Sequence, residues 1–276
     1  MDFLLSAEEL YYKLGQVVVI DTRFELLHPT KGKALYQKSH IPGAQYFDLN
    51  EDLASPIRKH GGKHPLPDSA AFLAKLGEAG IDQDTTIVIY DQGNAMFAAR
   101  LHWLLDYYGH KRKYILDGGF TAWEKAGYAT TDSIVIPTPK SYHAEAKQDM
   151  IVNIEQVKER QASRDSTLID ARSWERYLGK TDPYYEKAGH IPGAKSFDWQ
   201  PLLTEQGKWK TKKEIRDYFS ELKPGGEIVV SCGSGVSACM NILALRALGY
   251  TNVKLYPGSF SDWISYPENK VETKAE

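Results

Sequence analysis

The sequence predicts an α/β protein built as two tandem copies of one unit. Each copy is expected to be a mainly parallel sheet with helices on both faces. Three observations predict this. Short apolar runs alternate with helical patterns in both halves, as in sheets joined by crossover helices. One set of motifs occurs twice in the same order. The 276 residues are about two domains' worth of chain.

The repeat sets the fold and is justified first. Val19-Ile20-Asp21-Thr22-Arg23 returns as Leu168-Ile169-Asp170-Ala171-Arg172. Ser39-His40-Ile41-Pro42-Gly43-Ala44 returns as Gly189-His190-Ile191-Pro192-Gly193-Ala194. Ile87-Val88-Ile89-Tyr90 returns as Ile228-Val229-Val230-Ser231, and Gly118-Gly119-Phe120 with Trp123 returns as Gly258-Ser259-Phe260 with Trp263. The offset drifts from 149–150 to 140–141 along these pairs, so the first copy carries the longer insertion. In the first half, strands are expected at 17–21, 44–47, 86–90 and 113–116, and helices near 68–79, 94–108 and 120–126. Leu101, Leu104, Leu105 and Tyr108 recur at three- and four-residue spacing, one face of a helix. In the second half, the run 227–231 is a strand feeding a helix whose apolar face is Met240, Leu243, Ala244 and Ala247. Pro137 and Pro139 favour extended backbone, and the polar run after them reads as a linker. The expected division is an N-terminal domain 1–136, a linker 137–148 and a C-terminal domain 149–276.

Composition narrows the function. Lys and Arg number 34 against 36 Asp and Glu, which gives no electrostatic case for nucleic acid or an anionic membrane. No apolar run approaches the ~18 residues of a membrane span. The opening Met1-Asp2-Phe3-Leu4-Leu5 has no positive n-region, so no secretory leader is expected. Two cysteines in a chain of this size suit a reducing compartment, and a cytoplasmic location is expected.

Ligands of parallel sheets gather at the carboxyl ends of strands. After the strand 227–231 comes Cys232-Gly233-Ser234-Gly235-Val236-Ser237, then a helix. Amide groups at a helix start have no helical partner, glycines let them converge, and the helix dipole adds positive charge. Together they stabilise a thiolate, the nucleophilic form of Cys232. Gly233, Ser234, Gly235, Val236 and Ser237 are the expected anion cradle. Three other readings are weaker. A buried cysteine is often plain packing, but flanking glycines at a strand-to-helix turn argue for chemistry. The run 233–238 fits G-x-G-x-x-A, yet the next strand region, Thr251 to Tyr256, offers no acid for a ribose. A cysteine phosphatase loop needs an arginine six residues on, and that residue is Ala238. The matching position in the first copy is Asp91, which cannot attack as a thiolate. One copy is expected to work and the other to be catalytically silent.

These residues resemble the tandem-domain rhodanese-like sulfurtransferases. The likeness spans nearly the whole chain: both His-Ile-Pro-Gly-Ala segments, the Asp-x-Arg turns, Tyr90-Asp91-Gln92-Gly93, Leu116-Asp117-Gly118-Gly119 and Tyr256-Pro257-Gly258-Ser259-Phe260. The loop Cys232-Gly233-Ser234-Gly235-Val236 is similar to the 3-mercaptopyruvate sulfurtransferase form; the thiosulfate branch has two basic residues after its cysteine. The resemblance implies ping-pong transfer through a Cys232 persulfide to a thiol or cyanide, with no metal or organic cofactor. It also implies that Arg176 grips the substrate carboxylate, a task that suits a planar guanidinium. A surface arginine is the other reading, and the first-copy equivalent at the same offset is Leu27. Arg23 and Arg172 occur in both copies and read as structural.

There are departures. Between Leu178 and His190 the sequence offers only lysines where some relatives place a second arginine. Asn50 stands where some have an acid in a proton relay with the loop serine, and Asn cannot act as a general base. His64 matches the family's histidine, with an ordered loop histidine as the alternative. Phe97 matches a residue that walls the site, or is plain core. Cys239, seven positions after Cys232 and so ~10 Å along a helix, reads as packing. The expected partners are a small-molecule sulfur donor and a thiol acceptor such as thioredoxin or a small thiol, with no nucleic acid and no membrane, and a monomer is expected. Thiosulfate:cyanide transfer and a non-catalytic persulfide carrier are the rival functions.

Overall fold

The computed structural model describes residues 1–163 and 166–274. It divides into two compact units. Unit 1 comprises Met1–Ser55, Leu66–Lys147 and Leu203–Trp209; unit 2 comprises Pro56–Pro65, Gln148–Leu202 and the chain from Lys210 onward. This differs from a clean division at a linker. Residues 137–147 belong to unit 1, because Tyr142 is buried there beside His110 and Lys140 N–H donates to Gly77 C=O at 2.9 Å. Two short segments, 56–65 and 203–209, sit with the other half of the sequence.

In unit 1 the elements run β1 (Leu4–Leu5), α1 (Ala7–Lys13), β2 (Val18–Asp21), α2 (Lys31–Lys38), β3 (Gln45–Tyr46), α3 (Ser69–Glu78), β4 (Ile87–Tyr90), α4 (Met96–Tyr107), β5 (Lys113–Leu116) and α5 (Gly119–Lys125). The strands pair in the order β1-β5-β4-β2-β3, every pairing parallel. All of β4 is buried, as an apolar run in a sheet covered on both faces must be. Val19, Val88, Tyr90 and Leu116 pack on Leu10 of α1, Tyr36 of α2 and Phe120 and Trp123 of α5. Alternation turns Ile20 and Ile89 to the opposite face. There α4 lies on β4 and β5, and its own side chains are buried nearly all round.

Unit 2 repeats the plan with α6 (Ile154–Ser163), β6 (Ser166–Asp170), α7 (Trp174–Tyr177), β7 (Lys195–Ser196), α8 (Lys212–Tyr218), β8 (Glu227–Ser231), α9 (Ala238–Ala247), β9 (Val253–Leu255) and α10 (Ser259–Trp263). Its sheet order is β7-β6-β8-β9, again parallel throughout. Leu168, Val229, Phe260 and Trp263 share one core with Val157 of α6. The repeated motifs have repeated physics. His40 and His190 each bond through Nδ1, at 2.7 Å, to the carbonyl of a tyrosine on which the ring stacks, Tyr36 and Tyr177. Each tyrosine hydroxyl donates in turn to the alanine carbonyl that ends its motif, Ala44 or Ala194. Arg23 and Arg172 are buried forks on Asp21 and Asp170, with the guanidinium 4.1 Å from the Phe120 or Phe260 ring centre. They hold the strand ends in both units, as a structural reading requires.

Candidate active site

Cys232 follows the last residue of β8 and is 1% exposed. Its backbone is pinned by the start of α10. Cys232 N–H donates to Ser259 Oγ at 3.0 Å, and its carbonyl accepts from Phe260 N–H at 3.0 Å. Ser259 takes a left-handed φ of +53°, which lets its hydroxyl donate onward to Tyr256 C=O. Gly235 N–H donates to Cys232 Sγ at 3.1 Å. Gly235 has φ +76°, and a Cβ on it would lie 2.3 Å from Pro257 O, so only glycine fits. Among the described residues, the N–H groups of Gly233, Ser234, Val236 and Ser237 donate to no protein acceptor. They lie between Cys232 and the start of α9, where the helix dipole adds positive potential.

Arg176 lies on the short helix α7 and is 19% exposed. The Asp182 carboxylate, its side chain fully buried, accepts from Arg176 Nε and Nη2 at 3.2 Å each, and from Arg172 Nη1 at 3.3 Å. The guanidinium is thereby held over the cysteine loop: a Cβ placed on Gly233 would lie 3.2 Å from Arg176 Nη2 and 2.8 Å from Tyr185 Oη. The Tyr184 ring centre is 4.9 Å from the guanidinium carbon, and the Lys63 ammonium sits 4.8 Å from the Tyr185 ring centre. Burial, followed by the charge of the Cys232 sulfur, pushes the Tyr185 phenol up to about 12.

The segment 56–65 completes the cluster. His64 Nδ1 is 2.7 Å from Ser234 Oγ. Gly61 N–H donates to Asp262 Oδ1 at 2.7 Å, Lys63 N–H donates to Ser261 Oγ at 3.0 Å, and His60 stacks on Tyr266. Cys232, the loop 233–237, Arg176 and His64 are therefore gathered within unit 2. Asn50 and Phe97 belong to unit 1. Asn50 is exposed and its N–H donates to Asp48. Phe97 is buried on α4 with its edge toward Phe24. Cys239 is buried and donates to Gly235 C=O at 3.5 Å.

Unit 1 carries the corresponding loop with its cradle filled. Asp91 Oδ1 accepts from Gly93 and Ala95 N–H, and Oδ2 from Phe97 and Ala98 N–H, at 2.9–3.4 Å. Burial pushes the Asp91 carboxyl up, against the pull of those amides. At the 141-residue offset, Gly93 and Ala95 correspond to Ser234 and Val236, whose amides have no protein acceptor among the described residues.

The equivalence of Arg176 with Leu27 is corrected by the tyrosines that hold the repeated histidines. Arg176 precedes Tyr177, so its structural counterpart is Leu35, which precedes Tyr36. The tyrosine-to-histidine spacing is four residues in unit 1 and thirteen in unit 2. The longer spacer delivers Asp182, Tyr184 and Tyr185. Sequence reasoning passed over Asp182 and Tyr185; the unequal spacing of two like motifs was the signal available for them. Ser259 and Asp262 were hidden because their role is to hold backbone.

Among the described residues, no group of three or more His, Cys, Asp or Glu could hold a metal ion, and no helix is long and apolar enough to cross a membrane. The Rhodanese-like domain family matches residues 6–126 and 153–266. A Pseudomonas aeruginosa protein named "Probable 3-mercaptopyruvate sulfurtransferase" is 38% identical over 98% of both chains. The thiosulfate sulfurtransferase of Cricetulus griseus is 34% identical over 86% of this chain and 82% of its own. The crystal structure of the 3-mercaptopyruvate sulfotransferase SseA from Escherichia coli superposes with a TM-score of 0.80 at 31% identity, covering 94% of this chain and 99% of that one. With both halves of its fold matched and relatives aligned end to end, the chain belongs to the rhodanese-like family as a tandem pair of domains.

Proposed function

We propose that this sulfurtransferase takes sulfur from 3-mercaptopyruvate, holds it as a persulfide on Cys232 and passes it to a thiol or to cyanide. One observation carries the choice of donor. Arg176, braced by Asp182, stands over a cysteine loop in which residues 233–237 bring no basic side chain. A monoanionic α-keto acid needs one cation for its carboxylate, whereas dianionic thiosulfate calls for more positive charge beside the sulfur.

Cys232 thiolate attacks the substrate sulfur, the carbon–sulfur bond breaks, and pyruvate leaves. The outer sulfur of the persulfide then takes the amides of Gly233, Ser234, Val236 and Ser237, which need an acceptor. His64 orients the Ser234 hydroxyl at the rim of the loop. The scheme needs no cofactor, because the thiolate is both nucleophile and carrier. Asp91 leaves unit 1 without a nucleophile, so unit 1 supports and does not turn over. The acceptor we favour is a thiol. The two free cysteines suit a cytoplasmic setting, and we read the working protein as a monomer.

The test is steady-state turnover on 3-mercaptopyruvate and thiosulfate side by side, with cyanide or dithiothreitol as acceptor. A kcat/KM for mercaptopyruvate at least tenfold above that for thiosulfate supports the reading. The reverse ranking makes the protein a thiosulfate enzyme, as relatives at 34% identity are named. Negligible turnover on both, with Cys232 still alkylated readily, makes it a persulfide carrier.

A further inference from the structure

We propose that Tyr185 is a catalytic residue whose hydroxyl donates to the keto oxygen of the sulfur donor as the carbon–sulfur bond breaks. The inference rests on the mercaptopyruvate reading and deepens it.

The geometry begins at Gly233, the residue after the nucleophile. Its missing side chain leaves a point 2.8 Å from Tyr185 Oη and 3.2 Å from Arg176 Nη2, so the two donors lie no more than 6 Å apart. An α-keto acid presents a carboxylate and a keto oxygen on adjacent carbons, a spacing that suits two donors so placed. Arg176 takes the carboxylate, and Tyr185 is left for the keto oxygen. The ring cannot drift: Phe260 packs edge-on at 5.9 Å between centroids, and the Lys63 and Arg176 cations lie 4.8 and 5.6 Å from its centre.

The chemistry needs a donor there. Cys232 forms the new sulfur–sulfur bond with its own electron pair. The pair of the breaking carbon–sulfur bond passes onto the pyruvate fragment as an enolate, with charge on the keto oxygen. The transferred sulfur loses one proton and the methylene carbon gains one, so no oxidant, reductant or external acid enters. A half-buried neutral hydroxyl placed beside developing charge is worth more in the transition state than in the ground state. The phenol, pushed up to about 12, keeps its proton at neutral pH and donates without ionising. Donors that leave as sulfite or as a shorter polysulfide form no enolate and make no use of it.

The experiment is Tyr185→Phe in the full chain, which keeps the ring and removes the hydroxyl. The expected result is a fall in kcat on mercaptopyruvate of roughly 100-fold, the loss typical of one oxyanion donor. KM should change by less than about threefold, since the carboxylate clamp is intact. Loading of Cys232 by inorganic polysulfide, read by intact mass, and its alkylation by iodoacetamide should match wild type. The wild-type kcat should not drop as pH passes about 10, where an ordinary tyrosine ionises. Undiminished kcat in Tyr185→Phe overturns the proposal. So does an equal slowing of mercaptopyruvate and polysulfide loading, which would make Tyr185 a prop for the loop. Wild-type protein that releases no pyruvate overturns the donor reading, and this inference with it.

Discussion

Asp182 is the residue on which the proposed substrate clamp depends. Its buried carboxylate accepts from two guanidiniums, so Arg176 is held in one place over the cysteine loop. A charge-assisted, forked pair of this kind is geometrically specific. Arg176→Ala should raise KM for mercaptopyruvate tenfold or more, about 1.4 kcal/mol of lost binding per factor of ten. Its rate of Cys232 alkylation by iodoacetamide should stay within twofold of wild type. An unchanged KM would remove Arg176 from the site. Cys232 and Arg176 could be singled out in the sequence because their residue types are scarce at such positions. A cysteine between a strand and a glycine turn, or an arginine missing from the other copy, stands out. Tyr185 was not legible. It follows another tyrosine in a polar spacer, and its value comes from the way that spacer folds back over Gly233.

At the scale of elements, the strand-to-helix turn after β8 is held by what it lacks. Gly235 at φ +76° faces Pro257 O with no room for a methyl group. Gly235→Ala should cost roughly 1–3 kcal/mol in backbone strain alone. It should also withdraw the N–H that touches Cys232 Sγ, so the melting temperature and turnover should fall together. Thermal unfolding beside a pyruvate-release assay checks this; a variant of wild-type stability and activity would mean that the loop has another route. The strands were legible at this scale: the run expected at 86–90 is observed at Ile87–Tyr90, because four apolar residues in a row suit only a doubly covered strand. The helix α2 was not. Its sequence Lys31-Gly32-Lys33-Ala34-Leu35-Tyr36-Gln37-Lys38 buries only Gly32 and Tyr36, too narrow a stripe to read as periodic.

At the scale of the molecule, each unit is completed by a segment taken from the other half of the sequence. Residues 56–65 give unit 2 the Gly61 amide for Asp262 and the His64 imidazole for Ser234. Residues 203–209 give unit 1 the Trp209 amide for Asp117 and the Trp209 ring for Phe3. A fragment beginning at Gln148 should therefore melt lower than the whole chain and turn over mercaptopyruvate at least tenfold more slowly. Addition of a peptide spanning 56–65 should recover part of the rate; a fragment as active as the whole chain would show the segment to be dispensable. This exchange was illegible because both segments are short, polar and without periodicity, while proline-rich 136–140 looked like a boundary. The exchange also bears on heredity. A crossover joining one parent's residues through 147 to another's from 148 onward would read as a clean splice of two modules. Its product would nevertheless set His60, Gly61 and His64 of one lineage against Tyr266, Asp262 and Ser234 of another. Duplication made the halves alike, but the traded segments bind their fates, so substitutions on either side of the seam must be inherited together.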